Sequence, residues 1–136
     1  MLIGAIYLGP IYGIAIAFTK DLLYLLSGGG SGGLLGAFIN FIALGTFSAI
    51  VGLFSRKRNN VNIILGLIFG TLLMALVMIP VNLWAVPTFW MPKITHKALM
   101  DYILKLNLPF NLIKGAIDTI ITFIVFVSLK NRYKGL

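Results

Sequence analysis

Cysteine is missing altogether from these 136 residues, and acidic residues number three against eleven Lys and Arg. The first absence excludes disulfides, Cys-based metal sites and thiol chemistry. With one His and three Asp, groups for acid–base or metal-assisted catalysis are also scarce. A phosphate loop is lacking too: "SGGGSGG" is Gly-rich, but no Lys-Ser or Lys-Thr follows it, and it reads as a turn. The N-terminus has no basic start and runs straight into further apolar sequence, so it reads as part of the fold rather than as a signal peptide.

What is abundant is apolar sequence. The chain is 60% hydrophobic and only 10% charged, where a soluble domain is about 45–50% apolar and about 25% charged. An all-α integral membrane protein follows, forming a single membrane domain over residues 1–136. Three apolar segments, Leu34 to Phe54, Asn62 to Val86 and Pro109 to Leu129, each reach the roughly 20 residues that a helix needs to cross a bilayer core. The first 26 residues read either as one long helix or as two, over about 2–9 and 11–26, broken at Gly9-Pro10; helix propensities alone leave this open.

The net charge of +8 would suit nucleic acid in a soluble protein, but its distribution argues otherwise. Six of the eleven cations (Arg56, Lys57, Arg58, Lys130, Arg132, Lys134) follow directly on long apolar runs, as positive-inside anchors do. No nucleic-acid partner is expected. That rule places the C-terminus and the Arg56–Arg58 loop in the cytoplasm, and "SGGGSGG" and the stretch 87–108 outside. In that outer stretch, Lys93 to Leu106 mixes apolar residues with lysines and predicts a short amphipathic helix at the interface or capping the bundle. Trp84 and Trp90 beside it fit an interfacial aromatic belt better than a ligand stack.

Polar groups inside the spans carry the functional reading. In "PFNLIKGAIDTIITF" the residues Asn111, Lys114 and Asp118 recur at helical spacing, giving an apolar helix one polar face. With Pro109 at the outer edge, Lys114 lies roughly 7 Å deep and Asp118 roughly 13 Å. Ionisable groups at such depth cost about 2.5–3.5 kcal/mol and face a cavity or a partner. The plain alternative is a Lys114–Asp118 pair that neutralises itself. Asn82 and Asn40 lie near the outer ends of the two preceding spans, so three helices offer hydrogen-bonding groups at one level. That is the make-up of a pocket for a small molecule with polar edges. An enzyme built on Lys114, Asp118 and His96 is a weaker reading, since His96 and Asp101 lack a metal-ligand repeat. A purely structural subunit, with Asn and Lys joining helices, is a third. The small residues Ala5, Gly9, Gly13 and Ala17 recur every four positions, as a stripe for ordinary helix packing or for docking a partner subunit.

"LIGAIYLGPIYGIAIAFTKDLLYLL", the Gly-rich turn with "GAFINF", then "IPVNLWAVP" and "LPFNLIKG", together resemble the S component, the membrane-embedded substrate-binding subunit, of energy-coupling factor (ECF) vitamin transporters, most closely the riboflavin-specific one. The resemblance runs over nearly the whole chain in order. It implies a bundle of about five helices here, the six-helix S-component fold entered at its second helix, with a break at Gly9-Pro10. It further implies riboflavin or a related vitamin as transported ligand, held by Asn82, Asn111 and Lys114, with Asn40 a further candidate. The flavin pyrimidine edge alternates donors and acceptors, and an Asn amide supplies both. No cofactor or metal and no enzymatic activity are implied. The implied partners are the bilayer of the cell membrane, a transmembrane coupling subunit and two ATPase subunits, with Ala5, Gly9, Gly13 and Ala17 as the partner-facing stripe.

Overall fold

The structure, a computed structural model, describes residues 1–28, 32–57 and 59–133. Arg58 and Lys134 of the basic clusters, and the middle of the Gly-rich turn, lie outside the described residues. Among the described residues there are helices and no strand: α1 (Leu2–Leu8), α2 (Pro10–Leu26), α3 (Gly33–Phe54), α4 (Asn60–Ala85), α5 (His96–Tyr102) and α6 (Leu108–Arg132).

The first helix ends at Gly9, whose φ of 101° is a conformation that a residue with a Cβ rarely adopts. Pro10 then opens α2 in the first-turn position where its missing N–H is no loss. The turn is pressed against α3: a Cβ at Gly52 would fall 2.5 Å from Pro10 Cα. At the far end of α3 a tight turn, Ser55–Lys57, leads to Asn59, whose side chain caps α4 by accepting from the Val61 N–H at 3.3 Å.

Helical structure extends well into the stretch 87–108. The backbone widens over Val86–Trp90, where Met91 N–H reaches Val86 O at 2.8 Å, and again over Ile103–Asn107. Pro87 and Pro109 lie inside continuous helical segments, each within or just after a widened stretch, a local adjustment that accommodates the missing N–H. The predicted amphipathic helix begins later than Lys93, at His96, capped by Thr95 Oγ1 accepting from Ala98 N–H. With the widened turn that follows, it closes the end of the bundle opposite the α1–α2 turn, burying Leu99 and Ile103 against Val86.

Helices α3 and α4 form the centre. Phe47, Val51, Ile63, Leu67 and Met74 are fully buried between them, with Leu2 and Ile6 of α1 and Phe126 of α6 joining the same core. Neighbours run antiparallel and meet at small residues. Gly70 lies on Phe47, Gly66 on Val51, and Gly115 of α6 on Thr71 of α4, where an added Cβ would fall 2.5 Å from Thr71 Cγ2. Three helical segments, Gly33–Lys57, Asn60–Trp90 and His96–Arg132, are long and apolar enough to span a membrane. Their outward faces carry Ile68, Phe69, Leu72 and Leu76 on α4 and Ile113, Ile117, Ile120 and Ile124 on α6, all exposed. Such rows are stable only against lipid.

The small-residue stripe is corrected here. Ala5 and Ala17 are 0% exposed and Gly13 is buried. A Cβ on Gly13 would lie 2.5 Å from Ala5 Cβ and 3.1 Å from Ser48 Cβ. Ala5, Gly13 and Ala17 are consumed in bringing α1, α2 and α3 together, while Gly9 makes the turn and is half-buried, with open space where a Cβ would point.

Candidate functional site

Antiparallel packing sets Asp21, near the C-terminal end of α2, level with Asn40 on α3, and Asn40 Nδ2 donates to Asp21 Oδ1 at 2.6 Å. From α6, Lys114 donates from Nζ to Asn40 Oδ1 at 2.9 Å. Lys20 closes the row, donating to Asp21 Oδ1 at 3.2 Å. The result is a chain of four groups, Lys20–Asp21–Asn40–Lys114, that ties three helices together. Asp21 is 3% exposed, and its Oδ2 is buried without a hydrogen-bond partner among the described residues. Such an orphaned acceptor costs free energy that a structural joint would avoid.

The row borders a cleft of about 300 Å³ lined by Lys20, Tyr24, Gly32, Gly36, Ala37 and Asn40. The glycines leave this wall bare of side chains. Behind Asp21 a smaller apolar cavity of about 110 Å³ opens between Phe18, Leu22, Phe38 and Phe41.

Of the sequence-predicted residues, Asn40 and Lys114 are therefore brought together. Asn82 and Asn111 are placed differently. Both are buried, and both turn Nδ2 back onto their own helix, Asn82 to Met78 O at 2.8 Å and Asn111 to Asn107 O at 2.9 Å. Such i→i−4 bonds satisfy the amide protons within the helix and leave Oδ1 as the group each residue can offer a ligand. The single level expected for all four is corrected by the register. Asn111 lies one turn outward of the Gly115–Thr71 contact, while Asn82 lies eleven residues beyond Thr71 along α4, roughly 16 Å.

The expected alternative for Lys114, an i,i+4 pair with Asp118, is not what forms. Among the described residues the ion pairs are Lys20–Asp21 and Lys105–Asp101. His96 is the exposed first residue of α5, and no group of His, Cys, Asp or Glu among the described residues is placed to hold a metal. Lys20 and Asp21 are the site residues the sequence reading passed over. The signal was present in "AFTKDLLYLL", an adjacent cation and acid interrupting an apolar helix.

The profile of the family described as ECF transporter, substrate-specific component, matches residues 1–126. The chain belongs to this family. That description is of a transporter component, and it lends no support to the reading as an enzyme. Related proteins of the family include the riboflavin transporter RibU of Streptococcus thermophilus, 32% identical over 127 residues, covering 87% of this chain and 59% of that protein. The riboflavin transporter FmnP of Bacillus subtilis is 30% identical over 139 residues, covering 95% and 72%. RibU of Lactococcus lactis is 34% identical over 155 residues, covering 97% and 75%. The chain thus spans 59% to 75% of the length of these relatives.

Proposed function

We propose that this chain captures riboflavin at the outer face of the cell membrane, as the substrate-binding subunit of an ATP-driven ECF transporter. The ligand would be passed inward through a transmembrane coupling subunit driven by two ATPase subunits, and the C-terminus would be cytoplasmic. Family membership and the names of the related proteins support the substrate class. The observation that carries the reading in this chain is the Lys114–Asn40 bond beside the outer cleft. It puts an ammonium and an amide from two different helices beside a cleft whose other lining is Lys20, Tyr24, Ala37 and bare glycine backbone, polar groups for the edge of a flat vitamin and a smooth wall for its face. Asn82 and Asn111 would add acceptors through Oδ1.

Titrating riboflavin into the detergent-purified protein and following flavin fluorescence tests this, with Lys114→Ala in parallel and thiamine as a control. Saturable quenching that Lys114→Ala weakens and excess thiamine does not reverse is the expected result; no saturable quenching of the flavin would overturn it. A structural reading has one observation in its favour, that Asp21, Asn40 and Lys114 already satisfy one another across α2, α3 and α6. It expects Lys114→Ala to lower thermal stability while no vitamin binds.

A further inference from the structure

We propose that Asp21 is a positioning residue: by accepting from Asn40 Nδ2 it fixes the direction of the Asn40 amide, so that Oδ1 always faces Lys114. An ionised carboxylate only accepts hydrogen bonds and an ammonium only donates them, whereas an amide does both. Asn40 stands between the two, with Nδ2 on Asp21 Oδ1 at 2.6 Å and Oδ1 on Lys114 Nζ at 2.9 Å. Turned over, the amide would set its NH2 against an ammonium and its oxygen against a carboxylate. The bracket therefore permits one orientation. Both bonds are charge-assisted, one through the Asp21 carboxylate and one through the Lys114 ammonium, and the burial of Asp21 shields its side from competing water.

This deepens the proposed riboflavin reading and, for its ligand arm, rests on it. In the empty site Asn40 Oδ1 occupies the place of a ligand acceptor on Lys114. When a ligand takes Lys114, Asn40 is left presenting an acceptor whose direction Asp21 maintains. The complementary ligand edge carries an acceptor for Lys114 next to a donor for Asn40, as an imide C(=O)–NH does. Asp21, touching no ligand itself, would thereby select for the N–H.

The first measurement needs no ligand: the rate at which a small amine-reactive reagent modifies Lys114, read by mass spectrometry on the folded protein in detergent. Asn40→Ala and Asp21→Asn should each raise that rate roughly fivefold, as expected for the loss of one net hydrogen bond. Asp21→Glu, which keeps an acceptor-only group, should restore much of the protection. Asn40→Ala removes no charge, so a rise there reports the lost acceptor on Lys114 and not an altered field at its ammonium. Unchanged labelling in Asn40→Ala or in Asp21→Asn would overturn the proposal.

The second measurement compares riboflavin with its N3-methyl derivative, which lacks the imide donor. The parent should prefer riboflavin, and Asp21→Asn should bring the ratio of dissociation constants towards one, because its amide no longer dictates which way Asn40 faces. A ratio unaltered by Asp21→Asn counts against selection by Asp21. If the parent protein binds neither flavin, the riboflavin reading falls and the labelling rates alone decide whether Asp21 positions Asn40.

Discussion

Gly52 of α3 lies beneath Pro10 at the start of α2 so closely that any Cβ would fall 2.5 Å from Pro10 Cα and 2.6 Å from its nitrogen. Both contacts are backbone, so no side chain can swing aside. Gly52→Ala should therefore force α3 away from the α1–α2 turn and destabilise the protein by about 1–3 kcal/mol, the usual range for overpacking. Gly9→Ala, which strains φ without filling space, should cost less. Thermal unfolding in detergent checks both, and an unshifted midpoint in Gly52→Ala would contradict the close approach.

Gly13 makes the same argument inside the bundle. Because Ala5 and Ser48 already occupy its surroundings, Gly13→Leu should fail to fold or unfold at a markedly lower temperature. A docking-stripe role predicts something else, a stable protein that has lost only its partner. Size-exclusion profiles and unfolding curves of the variant separate the two, since a monodisperse Gly13→Leu protein with parental stability would restore the docking role.

Asn82 and Asn111 divide the ligand reading from the structural one. Each donates to a carbonyl of its own helix, and that carbonyl position already belongs to the helical ladder, so truncation strands no buried partner on another helix. Asn82→Ala and Asn111→Ala should change stability by less than about 1.5 kcal/mol. If the Oδ1 atoms serve a ligand, the same variants should weaken riboflavin binding by about tenfold or more. A large loss of stability with no change in quenching would favour helix gluing.

Much of this architecture can be read from the chain, and the reasons for the remainder are specific. The three long spans are legible because nothing charged interrupts "GAFINFIALGTFSAIVGLF" or Asn62 to Val86, and Pro109 to Leu129 carries only Lys114 and Asp118 in an otherwise apolar run. The turn at Gly9-Pro10 is not decided by propensity, since a helix in lipid tolerates both residues; only its contact with Gly52 shows why it breaks there. The prolines at 87 and 109 suggest loop, but each lies within or just after a widened stretch of a continuous helix, which accommodates the missing N–H. Asp21 looks interfacial because it lies close to a Gly-rich turn. Its burial comes from facing Asn40, nineteen positions on, and that register exists only in the packed bundle. The back-bonding of Asn82 and Asn111 is likewise a choice between neighbours at i−4 and a ligand, and residue type does not reveal it.

Orientation can be tested cleanly because the chain has no cysteine of its own. Lys97 is exposed on α5 at one end of the bundle, and Arg132 is exposed at the last turn of α6. Near Arg132, Lys130 donates to Asn60 Oδ1 at 2.7 Å, which gathers the α6 terminus and the Arg56–Lys57 turn at one end, a cationic end facing the cytoplasm under the positive-inside rule. Lysines at 93, 97 and 105 also mark the opposite end, but there Asp101 pairs with Lys105, and the basic excess is smaller. A single Lys97→Cys protein in intact cells should react with a membrane-impermeant maleimide, while Arg132→Cys should react only after permeabilisation. The reverse pattern would turn the bundle over and place the Asn40–Lys114 cleft on the inner face, where it could not capture a vitamin from outside.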